Sequence, residues 1–456
     1  MTNENRLFLA FYGDDFTGST DALDFLCKAG IETVLFIDTP SEERLKKFEG
    51  IKAIGIAGTS RSMTPEAMEK ELNKSFTALR EINPIHVHYK VCSTFDSAPH
   101  IGSIGRAIDT GLEIFGNQPL PLLVAAPALG RYCAFGNLFA RMGIGGGGKI
   151  YRLDRHPAMR KHPITPSDES DLQLHLSKQT SKSIGLVDVL DLEKGEEHCL
   201  KKLESLVKDS AIILFDSLNE SHLTLVGALI EKRRKKGKAL FSVGSSGVEM
   251  ALGSYLNTQK TIKSKQDWPQ PEPASPLLVV SGSCSPITAE QISHALANNF
   301  AEIELNTDQL ASNENHSKLV DRYVQQAVAL LHQGQHLIIH SSKGPDDDRL
   351  HSASKLLMSS NKSSANVFGT ALGLIVNGIL SRIQLKRLVI AGGDTSGFVA
   401  KTMGIEAIEM LCPFAVGAPM CKAHTVIGYP ANGIEINFKG GQVGAKDYFI
   451  KAVMNR

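Results

Sequence analysis

The chain has 456 residues, 42% of them hydrophobic, enough for two or three domains that each bury a core. Its 49 Lys and Arg against 48 Asp and Glu leave a net charge of +1, which gives no electrostatic reason to expect nucleic acid or a membrane surface as a partner. Seven cysteines without a C-x-x-C pair argue against a disulfide framework or structural zinc. The absence of an apolar run near the roughly 20 residues of a membrane span, and of a signal-peptide layout at Met1 to Arg6, points to a reduced cytoplasmic protein.

Short apolar runs alternate with amphipathic stretches along the first half. Strands are predicted over 7–12, 33–37, 51–57, 85–89, 122–126, 184–189, 211–215 and 239–243. Ala22, Phe25, Leu26 and Ala29 fall at helical spacing, with Gly30 where a C′ glycine belongs. Residues 257–276 carry four prolines and three lysines and read as a linker. The alternation then restarts, with strands predicted over 277–281, 303–305, 336–340, 388–391, 407–411 and 434–438. The expectation is α/β: two domains, 1–256 and 277–456, with mostly parallel sheets and an interdomain cleft.

The first strand runs into Gly13-Asp14-Asp15-Phe16-Thr17-Gly18-Ser19-Thr20-Asp21 and then a helix. Ligands of open α/β sheets bind at the carboxyl ends of strands. A carboxylate there can accept a proton from a substrate hydroxyl. Helix capping by Thr17 or Ser19, with Asp21 in the first turn, explains Thr17 to Asp21 but leaves the Asp14-Asp15 pair. Lys90-Val91-Cys92-Ser93-Thr94-Phe95-Asp96-Ser97 follows the fourth strand and reads equally well as a binding platform or a polar loop. Arg61, Lys90 and Arg131 all lie just past strand ends, where an arginine suits a carboxylate; singly, each reads as a solvated loop charge.

Gly143 to Lys149 fits G-x-x-x-x-G-K, but Ile150 follows where a Walker loop needs Ser or Thr. Residues 137–142 do not read as a buried strand, so this is a glycine loop and not a nucleotide site. In the second half, three strands each end in a small-residue turn before a helix. These are Ser281-Gly282-Ser283-Cys284-Ser285, Gly392-Gly393-Asp394-Thr395-Ser396-Gly397 and Lys439-Gly440-Gly441-Gln442-Val443-Gly444. Exposed N–H groups at such turns bind phosphate, and three together suit a polyphosphate better than one. Cys284 has no neighbouring His and reads as packing. Phosphates in one domain, and carboxylates with scattered cations in the other, suggest a phosphotransferase.

These residues resemble the four-carbon acid sugar kinases along nearly the whole chain. The resemblance rests on G-D-D-F-T-G at 13–18, K-x-C-S-T-F-D-S at 90–97, G-R at 130–131, H-P-x-T-P-x-x-x-S-D-L at 162–172, S-G-S-C-S at 281–285, G-G-D-T-S-G at 392–397 and the glycines of 439–444. It implies phosphorylation of a hydroxyl of D-threonate, D-erythronate or 3-oxo-tetronate, with ATP and Mg2+. It also implies an acid-sugar-binding N-terminal domain and an ATP-binding C-terminal one. The ATP contacts it implies are Ser283, Gly392, Gly393, Asp394, Thr395 and Gly441 or Gly444. The substrate contacts are Asp14, Asp15, Arg61, Lys90 and Asp96, to which position adds Ser93 and Arg131. No metal ligand is assigned. The resemblance does not settle which carboxylate is the base; Asp15, nearer the helix start, is expected to be it, with Asp14 orienting the loop and Asp96 able to share the role.

The start, FYGDDFTGSTD, departs from the usual A-D-D-[LF]-T-G-A, and G-G-Q-V-G stands for S-G-N-F-G. A 3-oxo-isoapionate kinase of apiose breakdown is therefore the alternative. A nicotinamide dehydrogenase is disfavoured because GDDFTG replaces G-x-G-x-x-G. A non-catalytic sugar-acid-binding protein is the remaining different class; it needs no triple phosphate loops. Partners expected are a small sugar acid and ATP, with room for a homo-oligomer.

Overall fold

The computed structural model describes residues 6–116, 118–142, 148–161, 164–312, 316–358 and 363–454. The chain divides into two compact units, Met1–Gln266 and Asp267–Arg456. The segment expected to be a linker does not stand apart from them. Its first residues complete the helix Gly247–Thr258, the Lys265 N–H donates to Lys28 O, and the Ala274 N–H donates to Val453 O.

The first unit holds strands β1 (Leu9–Gly13), β2 (Thr33–Phe36), β3 (Ala53–Ala57), β4 (His86–Lys90) and β5 (Leu120–Leu123). A three-stranded antiparallel sheet follows: β6 (Arg131–Ala134), β7 (Asn137–Arg141) and β8 (Ile150–Arg152). Then come β9 (Ile184–Val187), β10 (Ile212–Phe215) and β11 (Leu240–Gly244). The main sheet is parallel in the order β2-β3-β1-β4-β11-β5-β10-β9. Its central strands are buried on both faces, which is why they read as continuous apolar runs. Beneath the loops, Tyr12 and Tyr89 stack at 6.1 Å and Phe76 meets both edge-on.

The small antiparallel sheet is the element the sequence reading lacks. Residues 137–141 do form a strand, with alternating burial and a second strand after it. A Walker loop would have a helix there. Gly143 to Gly147 of the glycine loop, with His162 and Pro163, lie outside the described residues.

The second unit contains β12 (Leu278–Ser281), β13 (Ala301–Glu304), β14 (Leu337–His340), β15 (Arg387–Ala391), β16 (Ile405–Ala415), β17 (Ala418–Thr425) and β18 (Glu435–Lys439). The order is β13-β14-β12-β15-β18-β17-β16. The first five are parallel, and β17 runs against both β18 and β16. β16 and β17 form a hairpin whose turn holds Gly417 at φ 75, the left-handed conformation such turns need. The helices Ser364–Leu380 and Gly393–Thr402 approach closely because Gly369 and Gly373 face Phe398 and Thr402. A Cβ at Gly373 would lie 2.5 Å from Thr402 Cβ.

Candidate active site

In the first unit, β1 lies between β3 and β4, and the chain order reverses there. Such a switch point opens a crevice at the carboxyl ends of the strands. Asp14 and Asp15 follow β1, Arg61 follows β3, and Lys90 ends β4. Backbone bonds tie the three loops: the Asp14 N–H donates to Lys90 O at 2.8 Å, and the Arg61 N–H to Asp14 O at 3.1 Å.

The helix Phe16–Ala29 is capped by Asp15 itself, not by Thr17 or Ser19 as expected. Asp15 Oδ1 accepts the Gly18 N–H at 2.9 Å. Its Oδ2 accepts the Thr17 hydroxyl at 2.9 Å and lies 2.9 Å from Arg61 Nη2. Burial opposes the Asp15 charge, but Arg61, Lys90 and these hydrogen bonds outweigh it and hold the carboxyl below its usual range. Asp14 is equally buried, and its Oδ1 has no hydrogen-bond partner among the described residues. Burial pushes its pKa up to about 7, against the pull of Arg61 and with the repulsion of Asp15. The two adjacent carboxylates therefore sit in different surroundings. Asp15 is fully committed to the cap and to Arg61, while Asp14 keeps an unsatisfied oxygen.

Of the three cations past strand ends, Lys90 and Arg131 are not solvated loop charges. Lys90 is fully buried, with Nζ 3.1 Å from Asp21 Oδ1 and donating to Val91 O at 3.0 Å. Burial disfavours its ammonium, but Asp21, Asp14 and Asp15 outweigh that and raise its pKa. Arg131 is also buried and spends Nη1 on Leu129 O and Arg141 O. Arg61 keeps 24% of its side chain exposed.

Arg61, Asp15, Lys90 and Asp96 all act electrostatically on Asp14, so the structure brings these five together. Ser93 is buried beside them in sequence. Asp96 also lines a narrow recess with Thr94, Ser97, Ser167, Glu169 and His175. Asp96 Oδ1 is buried there with no hydrogen-bond partner among the described residues. His175 is held neutral by burial and shares a hydrogen bond with Ser97. The pocket thus offers hydroxyls, carboxylates and a neutral imidazole, a set suited to polyol hydroxyls. Glu169 and His175 carried no sequence signal beyond lying in and near the 162–172 motif.

In the second unit the switch point falls at β12, between β14 and β15. An opening lies there, lined by Ser283, Ser341, Phe368, Gly392, Gly393 and Thr395 among others. Gly392 has φ 127, open to glycine and strained for other residues. A Cβ at Gly282 would lie 2.3 Å from Thr395 Oγ1, so the two loops touch only because that atom is missing. Such a cradle of glycine and serine backbone fits a phosphate chain. Gly441 sits against Ser283, since its Cβ would lie 3.1 Å from that Oγ. Gly444, at φ 84, instead packs on Tyr448. Asp394 lies in the first turn of the helix Gly393–Thr402, and its side chain lies outside the described residues. Cys284 is exposed at the pocket and does not serve as packing, because its turn leaves it at the rim.

In the sequence Lys439 stands only as the start of a glycine motif. It is fully buried at the end of β18, between the candidate phosphate loops. The signal was available: a lysine ending a strand that is otherwise buried in a parallel sheet has no solvent to face. Glu302, Glu304 and His340 come close enough to hold a metal. However, Glu302 already binds His340 at 2.9 Å and Lys343 at 2.7 Å, and Arg349 approaches Glu304. These cations leave a divalent ion little to gain there. Among the described helices, none is long and apolar enough to cross a membrane.

Known proteins match along both units. The family described as "Sugar-binding N-terminal domain" matches residues 9–252, and that described as "Nucleotide-binding C-terminal domain" matches 278–449. The chain is 38% identical over 450 residues to a 3-oxo-isoapionate kinase of Paraburkholderia graminis, covering 97% of this chain and 93% of that protein. It is 27% identical to a 3-oxo-tetronate kinase of Pseudomonas savastanoi pv. phaseolicola, covering 99% and 98%. Solved structures from Salmonella typhimurium LT2 and Haemophilus influenzae share the fold, with TM-scores of 0.77 and 0.68. Their identities are 22% and 23%; the first covers 97% of this chain and 98% of that one, and so does the second. Two units built around strand-end sites, each matched over most of its length, place the chain in the four-carbon acid sugar kinase family, as a sugar-acid kinase.

Proposed function

We propose that the protein transfers the γ-phosphoryl group of ATP to a hydroxyl of a 3-oxo sugar acid. The observation that carries this reading is the pairing at β1 of a carboxylate committed to Arg61 with a second carboxylate left unsatisfied. In this reading the N-terminal unit binds the acid. Arg61 meets its carboxylate, since guanidinium–carboxylate bonds are charge-assisted. Asp96 with Ser93, Thr94 and Ser97 binds hydroxyls, and Lys90 and Arg131 hold the loops from beneath. Asp14, not Asp15, takes the proton as the substrate oxygen attacks phosphorus and ADP leaves. A carboxyl near pKa 7 is matched to that task at neutral pH.

The C-terminal unit holds the nucleotide on the Ser283, Gly392 to Thr395 and Gly441 loops. Magnesium, usual for ATP, would neutralise charge on the phosphates. Among the described side chains no ligand set for it stands out.

The higher identity to the 3-oxo-isoapionate kinase than to the 3-oxo-tetronate kinases favours the branched acid as substrate. Coupled ADP release over 3-oxo-isoapionate, 3-oxo-tetronate, D-threonate and D-erythronate tests it. The expected result is the largest kcat/KM for 3-oxo-isoapionate. Preference for a tetronate would overturn the substrate, and no ADP release with any acid would overturn the reaction.

A further inference from the structure

Lys439 touches both sides of the candidate nucleotide pocket. Its carbonyl accepts the Gly392 N–H at 2.9 Å, which fixes the loop after β15. Its Nζ donates to Thr288 Oγ1 at 3.0 Å and to Gly440 O at 3.0 Å. Thr288 in turn is bonded to Ser283 Oγ at 3.0 Å and donates to Gly441 O at 3.2 Å. One lysine thus reaches all three glycine- and serine-rich turns, directly or through Thr288.

Its surroundings are unusual for a cation. The side chain is fully buried, and among the described residues no carboxylate forms an ion pair with it. From the last helix, Tyr448 presents its ring 5.6 Å away, and the phenol donates to Asn437 instead. From the helix Pro286–Leu296, only the Thr288 hydroxyl meets the ammonium. By contrast, buried Lys90 has Asp21, and buried Arg387 has Glu435. An unpaired buried ammonium is costly, and a protein retains one where a ligand supplies the missing charge.

We propose that Lys439 is a positioning residue of the nucleotide site whose counter-charge is the phosphate chain of a nucleoside triphosphate. It acts through Thr288 on the Ser283 loop and through its own carbonyl on Gly392. This rests on the assignment of the nucleotide to the C-terminal unit. Burial lowers the Lys439 pKa to about 7 in the free protein, so above neutral pH the amine is largely uncharged. A polyphosphate arriving within reach favours the charged form, and nucleotide binding then takes up a proton at this amine.

Calorimetric titration of the full-length protein with a non-hydrolysable ATP analogue and magnesium, at pH 8 in two buffers of different ionisation heat, counts that proton. Uptake of more than half a proton is expected for the wild type, and near zero for Lys439→Met. The affinity advantage of wild type over Lys439→Met should be roughly tenfold or more at pH 6.5 and shrink as pH rises above 7. A merely structural lysine would weaken binding equally at every pH. Equal proton uptake in both proteins, or a pH-independent ratio, overturns the proposal. Absence of binding by the wild type overturns the nucleotide assignment itself and the proposal with it. Should Lys439→Met not fold, the wild type still decides. The Lys439 ε-carbon resonance, titrating near neutral pH, must move to higher pH when the analogue binds, and a fixed midpoint overturns the proposal.

Discussion

The Arg61 guanidinium lies 2.9 Å from Oδ2 of Asp15, while Oδ1 of the neighbouring Asp14 is buried without a hydrogen bond among the described residues. Two adjacent carboxylates in one loop are thereby driven apart in acidity, the usual way one fold supplies an anchor and a base. Asp14→Asn should lower kcat by about 10²-fold or more with nucleotide binding intact, as loss of a general base does. In the wild type, kcat/KM should fall about tenfold per unit as pH drops below 7, because Asp14 must be ionised to accept the proton. A flat profile from pH 5 to 8 would remove Asp14 from the role.

The same carboxylate should cost stability. Its folded pKa is raised from 3.8 to about 7, so between these values the folded state binds more protons than the unfolded one. Stability contributed by the protonated form is present below pH 4 and is lost as pH rises to 7. Asp14→Asn should therefore raise Tm at pH 8 and change it little at pH 4. Calorimetry at the two pH values checks this, and a lower Tm at pH 8 would contradict it.

Arg61 should anchor the sugar acid. A charge-assisted bond to a charged group contributes about 1.5–3 kcal/mol, so Arg61→Ala should raise KM for the acid more than tenfold. The nucleotide KM should stay within a factor of a few. If KM for the acid holds while kcat falls, Arg61 serves Asp15 alone.

Much of this was readable in the sequence because parallel sheets advertise themselves. Runs such as Leu9–Gly13 and Leu278–Ser281 are buried on both faces and need apolar residues throughout. Their termini then mark where loops meet. Periodicity does not report what a side chain does once the loops fold. Asp15 was legible as a carboxylate but not as the cap, because Thr17 and Ser19 are equally good capping types. Lys90 and Arg131 looked like loop charges because neither shows its burial in its neighbours' names. The strands Arg131–Ala134 and Asn137–Arg141 were missed for a related reason, as half-buried antiparallel strands alternate and carry polar residues.

Gly282 should be as important to the nucleotide pocket as the glycines after β15. An added Cβ would lie 2.3 Å from Thr395 Oγ1 and 2.7 Å from its Cγ2, so Gly282→Ala must push Thr395 or the Ser283 loop aside. The expected outcome is at least tenfold weaker binding of an ATP analogue by calorimetry, with sugar-acid binding unchanged. Unaltered nucleotide affinity in a folded Gly282→Ala protein would mean that this contact does not shape the site.

Lys90 provides the sharpest distinction between a residue that touches substrate and one that supports the residues that do. Its ammonium is fully buried, 3.1 Å from Asp21, and lies beneath the loop carrying Asp15. A Cβ at Gly18 would come within 3.2 Å of Nζ, which places the charge directly under the first turn of the helix Phe16–Ala29. Asp14, Asp15, Asp21 and Glu249 all favour the charged lysine, so its removal leaves several buried carboxylates without compensation. Breaking a buried pair from one side typically costs about 3–5 kcal/mol. Lys90→Met should therefore lower stability by about that amount in urea at pH 7, well beyond the effect of Arg61→Ala. The loss should be smaller at pH 5, where Asp14, with its raised pKa, is protonated in the folded protein and no longer needs the cation. A Lys90→Met protein of normal stability but with a greatly raised KM for the sugar acid would instead make Lys90 a direct substrate contact.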